Sequence, residues 1–180
     1  GNIVTARPAA DLIPPLMALG ATIELRSKGG TRTLHLEEFL VGPGQTTINP
    51  NEILTKIVIP EAKPFSGGDY MKLGHRKSLE IAIIAVASVL TLDETGKTIK
   101  DAKVILSAVA PKAIHAVSAE NELIGAEPTP ELFEAAAVRA MSDCSPISDI
   151  RGGSEYRKEM VKVLTGKTLL NALDAARGGK

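Results

Sequence analysis

A single cysteine, Cys144, stands among the 180 residues, which leaves no intrachain disulfide framework and no cysteine-based metal spacing. That usage fits a reducing compartment, and with no charged, cleavable leader in view the expected location is the cytoplasm. Net charge is also missing: 21 basic side chains balance 21 acidic ones. No global field then draws the chain to nucleic acid or to an anionic membrane, and neither is expected as a partner. Long apolar runs are absent too. The longest, "IAIIAVASVLTL" over residues 81–92, falls well short of the roughly 20 residues that cross a bilayer and reads as a buried segment. The three histidines, His35, His75 and His115, lack the i, i+4 spacing of a helical metal pair, so no metal site is expected. No fixed-period repeat and no low-complexity tract interrupts the chain.

What is present is enough apolar material for a real core, 44% of the residues. Residues 11–20 place Leu12, Leu16 and Leu19 on one helical face, with Asp11 available as an N-cap, two prolines in the first turn and Gly20 as the stop. "ATIELRSKGGTRTLHL" predicts a hairpin closed by a Gly-Gly turn, with Ile23 and Leu25 inward on one strand and Leu34 and Leu36 on the other. "EEFLVGPGQTTINPNEIL" is loop-rich, and the β-branched content of "EILTKIVIP" makes it a strand.

Two prolines and two glycines within residues 60–68 mark a boundary. Beyond it "DYMKLGHR", "IAIIAVASVLTLD" and "KTIKDAKVILSAV" read as three strands, the last two joined by a "DETGK" turn. Three helices follow, "AVSAENELIGA", "TPELFEAAAVRAM" and "SEYRKEMVKVLTGKTLLNALDAAR", with Thr129 and Pro130 as N-cap and N1. The expected class is α+β: a fragmentary first unit, residues 1–62, then a three-stranded antiparallel sheet packed on a three-helix layer, residues 66–180.

Few stretches invite chemistry. "KGGTRT" could cradle a phosphate, but no helix follows to add its dipole, and the hairpin is the better account. Cys144 has no histidine nearby to draw out a thiolate and reads as a small packing residue. "YMKLGHRK" crowds Lys72, His75, Arg76 and Lys77 together. A solvated edge strand is the favoured reading there. The alternative is a site for an anionic ligand, with strand alternation setting Lys72, Gly74 and Arg76 on one face and His75 on the other. The opening Gly1-Asn2 pair suits an anion contact, since glycine admits close approach and asparagine adds a donor.

The opening, "GNIVTARPAADLIPPLMALGA", resembles the second half of the flavin-binding motif in the FAD-binding (medium) subunit of molybdenum hydroxylases, the xanthine dehydrogenase and carbon monoxide dehydrogenase group. "RTLHLEEFLVGPGQTTINPNEILTKIVIP", "KLGHRKSLEIAIIAVASVLTLD" and "SEYRKEMVKVLTGKTLLNAL" resemble later parts of the same subunit in the same order. The resemblance implies that residues 1–62 are the C-terminal part of an FAD-binding domain, with the front half, which carries a second phosphate loop, lying elsewhere. It also implies cofactor contacts: Gly1 and Asn2 at the pyrophosphate, Thr5 beside them, Asp11 at a ribose or ribityl hydroxyl, Leu54 near the adenine or ring system, and Lys72 close to the cofactor. Glu80 stands where many relatives have aspartate. The implied role is electron relay: electrons arrive from iron–sulfur clusters on a partner subunit, pass through FAD and leave to NAD or another acceptor. The molybdenum cofactor sits on a further partner subunit. No catalytic residue of its own is expected here, and the isolated chain is expected to be inactive. A cofactor-free assembly or interaction module derived from such a subunit is the alternative reading. The first unit is also expected to expose apolar surface where a front half would pack.

Overall fold

The computed structural model describes residues 1–76 and 79–178. Lys77, one of the four cations noted in the sequence, lies outside them. The first unit runs α1 (Ile13–Ala18), β1 (Thr22–Ser27), β2 (Gly30–His35), α2 (Leu36–Phe39), β3 (Leu40–Gly42), β4 (Gln45–Thr46) and β5 (Ile53–Val58). The second runs β6 (Ser66–Leu73), β7 (Ile84–Leu92), β8 (Ile99–Ser107), β9 (Ile114–His115), α3 (Val117–Leu123), α4 (Pro130–Asp143) and α5 (Ser154–Ala176).

The predicted hairpin forms, with β1 pairing β2 on one side and β5 on the other. Its loop is Lys28–Gly29, and Gly30 already pairs with Ser27. Ile23 and Leu25 are fully buried, and each contributes about 1.5–3 kcal/mol of hydrophobic stabilisation. Leu36 is not a strand residue: it opens α2, a single turn inside the segment read as loop, and with Phe39 anchors that turn in the core.

The first helix differs from its expected form. It begins at Ile13, and its buried face is Ile13, Pro14, Met17 and Ala18, while Leu12 and Leu19 face solvent. A six-residue helix opened by proline is too short for the leucine spacing to set its orientation. Asp11 does not cap it. The backbone N–H of Leu12 instead donates to Asn2 Oδ1 at 3.1 Å, so the N-terminal turn satisfies the helix start.

The second unit holds a sheet in the order β6-β7-β8-β9, antiparallel throughout, with β6 on one edge. The fourth strand, β9, is only two residues long, which is why no alternation announced it. β6 starts earlier than expected, inside the proline-glycine segment, and ends at Leu73. The alternation read through Gly74 and Arg76 therefore does not hold.

Both faces of this sheet are covered, and that explains the uninterrupted apolar run in β7. Ile84, Val86, Leu90 and Leu92 pack with Val104 and Leu106 of β8 beneath α3, α4 and α5. On the opposite face Ala87 of β7 and Ile105 of β8 join the core of the first unit, beside Ile3, Ala6, Met17 and Phe39. Strand alternation thus divides one sheet between two cores. α5 comes so close to β6 that a Cβ on Gly67 would lie 2.2 Å from Ala176 N and 2.3 Å from Ala172 O. Thr129 caps α4 as predicted, accepting from Leu132 N at 3.2 Å.

The first unit exposes Val4, Leu12, Leu19 and Val41, together with Ile53, Ile57, Val58 and Ile59 on and just after β5. Among the described residues no helix is long and apolar enough to cross a membrane.

Candidate functional site

The N-terminal residues fold as a succession of tight turns, with Thr5 N donating to Gly1 O and Ala6 N to Ile3 O, both at 3.0 Å. Ile3, Ala6 and Ala10 go inward and hold the segment to the core. Asn2, Thr5 and Asp11 are left facing a cavity of about 850 Å³ between the two units. Its far wall comes from the loop after β8 and the segment leading into α5, with Ala108, Pro111, Asp149 and Arg157. Pro8 ties the walls together: its carbonyl accepts from Ser107 Oγ at 2.8 Å and from Ala108 N at 2.9 Å.

Lys72 reaches the same place from β6. It pairs with Ala85, on the sheet face that carries Ala87 toward the first unit. Its Nζ donates to Asp11 Oδ2 at 2.8 Å and to the Glu80 carbonyl at 2.7 Å. Two of its three N–H groups are therefore committed. β6 is an edge strand, as favoured from composition, yet this lysine turns inward and keeps only 27% of its side-chain exposure.

Asp11 Oδ1 is shielded from solvent and has no hydrogen-bond partner among the described residues. The Tyr70 hydroxyl, on the same strand as Lys72, is likewise shielded and unpaired. Burial and then the charge of Asp11 push its phenol up to about 12. A carboxylate oxygen with no donor is costly to bury. The carboxylate as a whole is partly exposed and lines the cavity, and a ribose or ribityl chain presents hydroxyls that it can accept from; the residues present fit that group.

At the mouth, burial works to raise the Glu80 carboxyl, but the backbone N–H groups of Arg76 and His75 and the charges of both side chains bring it below its ordinary value. Ile81, which the sequence assigned to a strand, precedes β7 and lies 60% exposed at this rim. Deeper in, Arg157 is buried and donates to Asp149 Oδ1 at 2.6 Å and to the Ala108 carbonyl at 3.1 Å. Arg151 donates to Asp149 Oδ2 at 2.6 Å. The hydrogen bond from Arg151, opposed by burial and reinforced by Arg157, holds the Asp149 carboxyl well below the usual carboxylate range.

Of the six residues singled out from the sequence, Asn2, Thr5 and Asp11 line the cavity, Lys72 braces Asp11, and Gly1 is exposed at the end of the same turn. Leu54 is set apart. It lies on β5 opposite Leu25 and packs half-buried against the first unit's core, away from the cavity lining. Asp149, Arg151 and Arg157, around the same cavity, were not singled out from the sequence; the mixed charges of "SDIRGG" followed by the arginine of "EYR" were the available signal. Cys144 is buried, its thiol pushed up by burial, and donates to the Met141 carbonyl, which suits a packing role. The "KGG" stretch is a hairpin.

Residues 1–62 match the family model described as FAD binding domain in molybdopterin dehydrogenase, and residues 69–172 match CO dehydrogenase flavoprotein C-terminal domain. The glyceraldehyde dehydrogenase medium chain of Sulfolobus acidocaldarius is 35% identical over 93% of this chain, which covers 58% of that protein. The carbon monoxide dehydrogenase medium chain of Hydrogenophaga pseudoflava is 30% identical over 98% of this chain and 59% of its own length. Among solved structures, CO dehydrogenase from Oligotropha carboxidovorans superposes with a TM-score of 0.88 at 31% identity, over 96% of this chain and 59% of that one. The chain thus spans about three-fifths of the relatives it matches.

Proposed function

Because this chain belongs to the FAD-binding medium subunits of the molybdenum hydroxylases, the xanthine and carbon monoxide dehydrogenase group, we propose that its large cavity is one wall of a flavin site. The carrying observation is the Asp11 carboxylate, which lines that cavity partly exposed and is held there by the Lys72 ammonium. Asp11 accepts from a cofactor hydroxyl, while Lys72 fixes the carboxylate and sets a positive charge near the ligand. Asn2 and Thr5 offer polar groups along the same wall, with Gly1 leaving the backbone open to approach. Residues 1–62 are then the rear part of the FAD-binding domain and residues 66–180 the C-terminal domain of the subunit.

Bound flavin supplies a carrier that takes up electrons one at a time and delivers two. The residues of this chain position it and shape its field: Arg157 and Asp149 brace the cavity wall, and Ile81 and Pro43 narrow access to water. The proposed role is an oxidoreductase subunit that relays electrons from iron–sulfur clusters on one partner to NAD or another acceptor, with the molybdenum cofactor on a second partner.

Flavin titration followed by fluorescence tests this reading. The 180-residue chain is expected to bind FAD weakly or not at all, and addition of the front portion of the subunit as a second polypeptide is expected to restore tight binding. If the reconstituted pair still ignores FAD, the chain is an assembly module and the flavin reading fails.

A further inference from the structure

His115 stands where the two units meet, and both of its ring nitrogens face carboxylates. Nδ1 lies 2.7 Å from Glu120 Oε1 on α3, and Nε2 lies 3.1 Å from Glu37 Oε2 on α2. A neutral imidazole carries one N–H, so one of the two contacts would set a lone pair against a carboxylate oxygen. Only the doubly protonated ring donates to both. The Glu120 end is firmly built: Glu120 Oε1 also accepts from Val104 N at 2.8 Å, and its side chain is 14% exposed. The Glu37 end is half-open at 52%.

Other charged or titratable groups face the ring as well. Lys103 of β8 opposes protonation, and His35, just ahead of α2, shares with Glu37, Lys103 and His115 a small cavity of about 70 Å³. The hydrogen bond from Glu120 comes first in favour of the proton, burial opposes it, and the charges of Glu120 and Glu37 add to it, so the ring titrates above its ordinary value.

The segment held at Glu37 matters beyond its own turn. α2 continues into β3, where the Leu40 carbonyl accepts from Lys112 Nζ at 2.7 Å, and then into Pro43, which forms part of the large cavity's wall. We propose that the Glu37–His115–Glu120 bridge is a proton-operated latch: protonated, it holds α2 and the β3–β4 turn against the second unit; deprotonated, it releases Glu37 and loosens this wall of the cavity. A raised histidine value places the full contribution below the ordinary imidazole range, and the contribution is lost as pH rises through the folded-state value. The latch does not depend on what the cavity binds.

Amide hydrogen exchange on the intact protein, without added cofactor and corrected for intrinsic rates, reads the latch in peptides spanning residues 36–44. Protection there is expected to fall roughly two- to fivefold between about pH 5.5 and about pH 9, the size of a half-exposed ion pair, while peptides of α5 stay constant. His115→Arg, which keeps the cation, is expected to hold protection at high pH. Glu37→Gln, a change at an exposed position, is expected to give low protection at every pH. Unchanged wild-type protection across that range, or an equal decline in His115→Arg, overturns the latch; neither result bears on flavin binding.

Discussion

Lys72 and Asp11, 61 residues apart in sequence, meet through a 2.8 Å contact that joins the edge strand of one unit to the residues just ahead of the first helix of the other. The ammonium occupies one carboxylate oxygen, and the second is left shielded and free. Asp11→Ala removes the carboxylate from the cavity wall. In the flavin-competent assembly it is expected to weaken FAD binding by roughly 10- to 100-fold, the worth of a hydrogen bond to a charged group. The effect on folding is expected to be small, about 0.2–1 kcal/mol, because the pair is partly exposed. Paired fluorescence titrations and urea melts separate the two; an affinity within twofold of the parent excludes Asp11 as a cofactor contact.

Gly67 carries no turn, yet it cannot accept a side chain. The backbone of α5 runs against it, and a Cβ would meet Ala176 N and Ala172 O at distances no packed structure sustains. Gly67→Ala is expected to cost about 1–3 kcal/mol or more by forcing helix and strand apart. Gly68→Ala, whose nearest neighbour is a methyl of Val89 at 3.0 Å, is expected to cost less. Thermal melts of the two variants give the comparison, and equal losses contradict the close approach.

That glycine also marks where the sequence stopped being readable. Gly67 and Gly68 beside two prolines look like a linker in one dimension, because the helix that requires a bare backbone lies about a hundred residues downstream. The hairpin at β1–β2 was legible since its two strands and its turn are neighbours. So was α4, whose Thr129–Pro130 start is written locally. The orientation of α1 was not, because six residues between proline and glycine carry too little periodicity. Of the residues the resemblance picked out, Asn2, Thr5 and Asp11 line one cavity and Lys72 reaches it only through Asp11. Leu54 came from the same resemblance and packs half-buried against the core, away from that cavity's lining. The Asp149–Arg157 pair depends on a tertiary contact between a loop and a helix, which no local spacing encodes.

Ser88 of β7 and Thr168 of α5 form a polar pair inside the main core, with hydroxyl oxygens 2.7 Å apart and Thr168 also donating to the Thr165 carbonyl at 3.1 Å. Thr168→Val keeps the shape but strands the Ser88 hydroxyl, and is expected to cost about 1–3 kcal/mol. Adding Ser88→Ala removes the stranded group and is expected to recover part of that loss. Urea denaturation of both singles and the double closes the cycle; strict additivity excludes the coupling.

Acid sensitivity is expected at Glu52. Its carboxylate takes two hydrogen bonds from Arg32, at 2.7 and 2.9 Å, and one from Asn49 N at 2.7 Å, clamping the loop before β5 onto β2. The Arg32 bonds first, then the Asn49 backbone, lower its value to about 2. A carboxyl depressed by folding adds stability above its unfolded value, and that stability is lost as pH falls toward the folded one. The gap in urea midpoint between the parent and Glu52→Gln should therefore be widest near neutral pH and close between about pH 4.5 and about pH 2. Other carboxylates, Asp149 among them, titrate in both proteins and cancel in the difference. A gap that stays constant through that window shows that Glu52 holds the loop by shape alone.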